Sequence, residues 1–198
     1  LETNLIARFN IYNLVAAIAA VHQKGIAMED IANYIQHLNQ IEGRMERIQD
    51  GQPFSLIVDF AHTPDGLENV LDSLVQIPHG KIITVVGHSG GNRDSSMRPE
   101  LGRIALTKSD HVVFTADNPR TEPLENIYQG LLSAVNKESV SYECIDKREE
   151  AIEKALQLAN NNDIVLLAGK GVEAYQIIGE VEYPYNEIEV VESLLMDK

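Results

Sequence analysis

Four short polar runs, each following an apolar one, hold the residue types that could do chemistry. The run from Gly87 to Asp94 combines three glycines with His88, Ser89 and Arg93. Glycines let backbone N–H groups approach a ligand, and a planar guanidinium matches a carboxylate or a phosphate. The run therefore reads as an anion site, or equally as a strand-to-helix turn in which Arg93 pairs with Asp94 or Glu100. Asp117-Asn118-Pro119-Arg120 sets an acid, an amide and a guanidinium around a proline that fixes φ. That set suits the two ends of a zwitterion, or alternatively caps a following helix with Glu122 in its first turn.

Gly169-Lys170-Gly171-Val172-Glu173 ends another apolar run, with glycines that open backbone donors and with Glu173 able to meet an ammonium group. It lacks the G-x-x-x-x-G-K-[ST] order of a phosphate loop, and Val172 stands where a magnesium-binding hydroxyl is expected. Asp59 to Asp65 supplies an acid and His62, within reach of a ribose or phosphate. Its other reading has Thr63 or Asp65 capping the next helix and His62 as a satisfied turn residue. The remaining histidines, His22, His37, His79, His88 and His111, show no ligand spacing. No structural metal and no catalytic triad is expected.

The elements that must position these loops follow from periodicity. Short apolar runs at Ser55–Phe60, Lys81–Val86, His111–Thr115, Ser139–Ile145 and Ile164–Ala168 predict strands. Between them, Leu67–Val75, Leu101–Thr107, Ile127–Val135 and Arg148–Ala159 predict helices. Such alternation builds a Rossmann-like α/β fold of about six mostly parallel strands with helices on both faces. Ligands then bind at the carboxyl ends of the strands, where the four runs fall. Tyr175–Tyr185 is a candidate antiparallel edge. Upstream, Phe9–Gln23 and Met28–Leu38 predict two helices, and Glu42–Pro53 reads as a polar connector. The expected organisation is a helical segment over 1–42, a linker over 43–53 and the α/β domain over 54–198.

The chain of 198 residues carries a net charge of −14 and no basic stripe, so nucleic acid is not an expected partner. No apolar run is long enough for a membrane span. Cys144 is the only cysteine, and no signal segment opens the chain. A cytoplasmic protein is expected. Leu1 leads directly into a helical pattern, which predicts a fragment of a longer chain.

Taken in order, these runs resemble the Mur ligases, and among them the synthetases that add the third residue of the peptidoglycan stem peptide. Leu5–Ala20 resembles the last central-domain helix and Gly43-Arg44-Met45-Glu46 the domain linker. The blocks DFAHTPD from Asp59, GGNRD from Gly90, DNPR from Asp117 and GKGVEAYQ from Gly169 resemble the C-terminal motifs. The resemblance implies an enzyme in which ATP, with Mg2+, phosphorylates the carboxylate of a UDP-muramoyl dipeptide, and a diamino acid attacks the acyl phosphate. It implies that Asn10 and Asn13 sit near the adenine, and that Arg44, Asp59 and His62 approach the ribose and phosphates. Arg93, Asp117, Asn118, Pro119, Arg120, Gly169 and Glu173 match the positions that hold the incoming amino acid. Arg120 favours meso-diaminopimelate, because it can pair with a distal carboxylate that lysine lacks.

The chain departs from the family pattern at Val172, where histidine is usual, at His88-Ser89, which lengthen the glycine loop, and at Pro123, which arrives early. It also carries none of the nucleotide-sugar domain, phosphate loop or modified lysine that the resemblance implies. The 198 residues alone are therefore expected to be catalytically silent and to need the missing N-terminal and central domains. The competing readings are another amide ligase of this fold, of the cyanophycin or folylpolyglutamate type, and a non-catalytic module that binds an amino acid or nucleotide.

Overall fold

The structure, a computed structural model, describes residues 3–91, 93–136 and 141–196. Strands buried on both faces read as unbroken apolar runs, and these form the centre of the molecule: β2 (Ser55–Asp59), β3 (Ile82–Val86), β4 (His111–Phe114) and β6 (Ile164–Ala168). With β1 (Glu46–Ile48) and β5 (Tyr142–Cys144) they make a six-stranded sheet ordered β1-β2-β6-β3-β4-β5. All neighbours are parallel except β1, which runs antiparallel to β2 with Arg47 opposite Ile57. The predicted strand start at Ser139 lies outside the described residues.

Two expectations change here. Tyr175–Tyr185 adds no edge to the sheet; β7 (Tyr175–Ile178) and β8 (Val181–Pro184) pair with each other as a separate hairpin turning at Gly179. Every residue of β8 is exposed, so it has no apolar face to lay on the core. The antiparallel edge comes instead from within the connector, where Ile48 reaches the core beside β2.

Side chains alternate between two cores with the period of two that a strand imposes. Ile57, Ile82, Val86, Val112, Phe114 and Leu166 face helices α3 (Pro64–Leu74), α4 (Arg98–Lys108) and α5 (Leu124–Leu132). Leu56, Val58, Ile83, Val85, Val113 and Val165 face α6 (Arg148–Leu158) and α7 (Glu187–Met196). Each fully buried Leu, Ile or Val contributes about 1.5–3 kcal/mol of transfer free energy.

Helix α3 begins three residues before the predicted apolar stretch because Thr63 caps it. Thr63 Oγ1 accepts from Gly66 N at 3.2 Å, and Pro64 occupies the first turn, where no donor is needed. Helices α4 and α5 approach closely at Gly102, where a Cβ would lie 1.8 Å from the Leu131 carbonyl oxygen. Upstream, α1 (Arg8–Gln23) and α2 (Met28–Gln36) pack on each other across Gly25, and Ile6 and Phe9 reach the first core. No described helix is long and apolar enough to cross a membrane.

Candidate functional site

The loops that follow β2, β3, β4 and β6 converge on a cavity of about 280 Å³. Of the residues expected from sequence, His62, Arg93, Asp117, Asn118, Arg120, Gly169 and Glu173 line it together. A larger open cavity of about 660 Å³ beside α7 is lined by none of them.

The glycines of the loop after β3 do a different job from the expected one. Gly90 N donates to Asn118 O at 2.9 Å and Gly91 N to Glu122 Oε2 at 3.0 Å, so these donors are spent within the protein. A Cβ on Gly90 would lie 2.2 Å from Pro119 O, and one on Gly87 would lie 2.3 Å from Thr115 O. Glycine is required because two backbones touch. Gly169 likewise spends its N–H, donating to Asp59 O at 2.9 Å, but there the requirement for glycine comes from its φ of 110 and not from crowding.

Arg98, which sequence reasoning passed over, ties the same two loops together. Its guanidinium is buried, reaches both oxygens of Glu122 at 2.7 and 2.8 Å, and donates to Ser89 O at 3.2 Å. The Arg98 bonds hold the Glu122 carboxyl below the usual glutamate range, against the opposing effect of burial. His88 Nδ1 lies 2.8 Å from Ser89 O and 3.3 Å from Arg98 Nε, so its tautomer decides which bond forms. Burial lowers the His88 pKa and favours the neutral ring. The proposed cap by Asp117 or Asn118 does not form: α5 starts after Pro123 with no side-chain cap, and Glu122 is committed to Arg98.

Arg120 sits at φ 52, a left-handed conformation unfavourable for a residue with a Cβ. The β7–β8 hairpin holds it there: Arg120 N donates to Ile177 O at 3.1 Å, and Gly179 N donates to Arg120 O at 2.8 Å. Among the described residues, the guanidinium's hydrogen bonds are long, 3.4 Å to Gly90 O and 3.5 Å to Asn118 O. It is anchored through its backbone and lightly engaged at its tip. Arg93 is exposed and pairs with neither suggested partner, since Asp94 accepts from Ser96 N and Glu100 bonds Arg103.

Lys170 is the main residue of the site that the sequence reading did not single out. Its side chain has no exposed surface, and Nζ donates to Glu173 Oε2 and Tyr175 O at 2.7 Å and to Asn118 Oδ1 at 2.9 Å. Asn118 Oδ1 also accepts from Ile177 N at 2.9 Å, while Nδ2 donates to Glu173 Oε2 at 3.0 Å. Asn118 is thus held on three sides by protein. Asp117 Oδ2 accepts from Ser89 Oγ at 2.7 Å, and its buried Oδ1 has no hydrogen bond but lies 3.5 Å from Lys170 Nζ. A lysine flanked by glycines at the end of a wholly apolar strand is the signal that the sequence offers for it.

Asp59, Arg44, Pro119, Asn10 and Asn13 do not line the cavity. Asp59 spends its two oxygens on backbone, accepting from Met45 N at 2.8 Å and Ala61 N at 2.7 Å, and so clamps the connector to the end of β2. Burial raises its pKa, opposed by those two bonds and by Arg44. Arg44 stacks over Phe60 at 4.9 Å, and Phe60 lines the cavity. His62 bonds Phe60 O through Nδ1 at 2.9 Å, the satisfied-turn arrangement, while also facing the cavity. Pro119 lines a neighbouring groove. On α1, Asn10 is buried and donates to Ile6 O at 2.8 Å, whereas Asn13 is exposed, and neither reaches the cavity. Among the described residues, no three His, Cys, Asp or Glu side chains gather as a metal donor set.

Behind the site, Arg148 and Glu187 form a fully buried pair, with Nε–Oε2 at 2.8 Å and Nη2–Oε1 at 2.5 Å. Arg148 Nη2 also donates to Ala168 O at 3.0 Å, and Tyr185 donates to Glu187 Oε2 at 2.6 Å. Burial pushes the Tyr185 hydroxyl well above its usual range. The pair pins α7 to the end of β6, where the Gly169 loop begins.

Residues 43–171 match the family model described as Mur ligase, glutamate ligase domain. The UDP-N-acetylmuramoyl-L-alanyl-D-glutamate–2,6-diaminopimelate ligase of Oceanobacillus iheyensis is 41% identical over 198 residues, covering 100% of this chain and 40% of that protein. A solved structure of a UDP-N-acetylmuramoyl-L-alanyl-D-glutamate–2,6-diaminopimelate ligase superposes with a TM-score of 0.77 at 34% identity, covering 100% of this chain and 40% of that one. Folylpolyglutamate synthase from Mycobacterium tuberculosis, complexed with ADP and AMPPCP, superposes over 85% of this chain and 39% of its own with a TM-score of 0.66. At 16% identity that likeness shows the fold alone. The chain spans about 40% of the length of the curated relatives it matches.

Proposed function

The chain belongs to the Mur ligase family, and from that premise we propose that it is the amino-acid-binding C-terminal part of an ATP-dependent, amide-forming ligase of the cytoplasm. The proposed reaction adds meso-diaminopimelate to UDP-N-acetylmuramoyl-L-Ala-D-Glu through an acyl phosphate, in peptidoglycan synthesis. Residues 1–42 would then be the end of the central domain, 43–53 the linker and 54–198 the amino-acid-binding domain.

The observation that carries this reading is the lightly engaged Arg120 guanidinium facing the same cavity as Glu173. A diamino dicarboxylic acid needs a cation for its distal carboxylate and an anion for an ammonium, and Arg120 and Glu173 supply them. A substrate without that carboxylate would leave the arginine desolvated and unmatched, at a cost of about 1–3 kcal/mol. Arg93 and Asp117 complete the amino-acid side.

Asn10, Asn13, Arg44, Asp59 and His62 belong, on this proposal, to the nucleotide side. Asp59 acts there through the linker backbone it clamps, and Arg44 through the Phe60 ring on which it stacks. Among the described residues no three His, Cys, Asp or Glu side chains gather as a metal site, and magnesium is held largely by substrate phosphates with one or two carboxylates. The 198 residues contain no G-x-x-x-x-G-K-[ST] run, and phosphoryl transfer is assigned to the domains this chain would join.

The test is phosphate release by the full-length gene product with ATP, magnesium and the UDP-muramoyl dipeptide, across meso-diaminopimelate, lysine and ornithine. Turnover confined to meso-diaminopimelate is expected. Turnover with lysine alone would remove the assigned role of Arg120, and turnover with none would defeat the ligase reading.

A further inference from the structure

Every polar contact of the Lys170 ammonium goes to a residue that lines the cavity. Three donors meet Asn118 Oδ1, Glu173 Oε2 and the Tyr175 carbonyl, and Asp117 Oδ1 lies 3.5 Å away. The rings of Tyr175 and Tyr185 flank Nζ at 5.6 and 5.8 Å. An ammonium has three donors, and all are occupied, so Lys170 has none left for a ligand. A buried lysine is costly to desolvate, and filling the space alone would be better served by leucine or methionine. The cation is retained for what it holds.

We infer that Lys170 is the positioning residue for recognition of the incoming amino acid's ammonium group. The inference rests on the proposed function and deepens it. Lys170 fixes Glu173 through one oxygen, restrains Asp117 by charge, and locks Asn118, whose amide also bonds the β7 backbone at Ile177. Two carboxylates around one ammonium leave the trio Asp117, Glu173 and Lys170 with a single net negative charge, the complement of one substrate ammonium, while Arg93 and Arg120 line the same cavity as cations. Removing Lys170 would double that charge and release the side chains that carry it.

The experiment compares K170M and K170R with the parent in the full-length gene product, measuring kcat and the KM of each substrate. K170M is expected to raise the KM for meso-diaminopimelate by roughly tenfold or more, the size expected when bonds to a charged group are lost. The KM values for ATP and the UDP-muramoyl dipeptide should stay within about twofold on the same scale. K170R keeps the charge and is expected to recover part of the loss. An unchanged KM for the amino acid, a rise shared by all three substrates, or equal losses in K170M and K170R would overturn the inference. If K170M does not fold, K170M/E173Q removes the cation together with one anion it compensates. It is expected to bind the amino acid more weakly than E173Q, because Asp117 and Asn118 still lose their anchor, and equal binding would overturn the inference. A parent enzyme that turns over no amino acid defeats the proposed function and the inference with it. Turnover with an unmoved K170M defeats the inference alone.

Discussion

Arg98 and Glu122 meet in a two-pronged ion pair, at 2.7 and 2.8 Å, that fastens the start of α4 to the segment after β4. E122Q is expected to cost about 1–3 kcal/mol at pH 7, because the buried guanidinium keeps only part of its bonding. The Glu122 carboxyl is depressed in the folded protein. Its contribution is therefore fully present above the ordinary glutamate pKa of about 4.3, and is lost as pH falls through the lower folded value. Urea midpoints of parent and E122Q should differ at pH 7 and draw together as pH falls from ~4 through the depressed folded value. A gap that stays constant would contradict the assignment.

Arg120 separates backbone strain from recognition. R120G removes the guanidinium and also relieves the left-handed backbone, which costs roughly 1–2 kcal/mol for a residue with a Cβ. Its thermal midpoint should match or exceed that of the parent, while, on the proposed function, the preference of the full-length gene product for meso-diaminopimelate over lysine falls about 10- to 100-fold. R120K should not restore the preference, since an ammonium lacks the planar fork. The comparison needs kcat/KM for both amino acids and one melting curve for each variant.

Gly102 marks the closest approach of α4 and α5, with the Leu131 carbonyl 1.8 Å from where a Cβ would stand. G102A must push the helices apart and is expected to cost about 1–3 kcal/mol. For a chain of this size each kcal/mol lowers the melting temperature by about 2–4 °C. An unchanged melting temperature would show that the two helices yield freely.

The Arg148–Glu187 pair is buried on both sides. E187A should cost about 3–5 kcal/mol by stranding the guanidinium. The triple change R148M/E187L/Y185F replaces both charges and the hydroxyl that bonds Glu187, and should come within about 1 kcal/mol of the parent or exceed it. Denaturant unfolding of the two variants side by side reads the difference, and equal losses would mean that the charges themselves stabilise the fold.

Periodicity was enough to place the central strands and the helices between them, because strands buried on both faces are unbroken apolar runs and amphipathic helices are not. β1 escaped notice: three residues, Glu46-Arg47-Ile48, inside a polar connector are too few to show alternation. α7 was missed for another reason, since its run is rich in glutamate and one of them, Glu187, is buried only because Arg148 meets it from 39 residues away. Within the site, types and order of residues brought seven candidates to one cavity. The pairs that hold them, Arg98 with Glu122 and Lys170 with Asn118, join residues 24 and 52 positions apart. Such partnerships are created by the sheet order, and local pattern does not encode them.

The β7–β8 hairpin shares no ladder with the six-stranded sheet, yet Arg120 takes its backbone conformation from it. The hairpin is thus joined to the loops after β4 and β6 by isolated hydrogen bonds, at Asn118, Arg120 and Lys170, and by no shared ladder. A hairpin lengthened, shortened or exchanged would re-aim the side chain at position 120 while leaving every strand register where it stands. If the proposed function holds, a lineage under pressure to accept a different amino acid would tolerate change first in that small ribbon, whose β8 strand is exposed throughout.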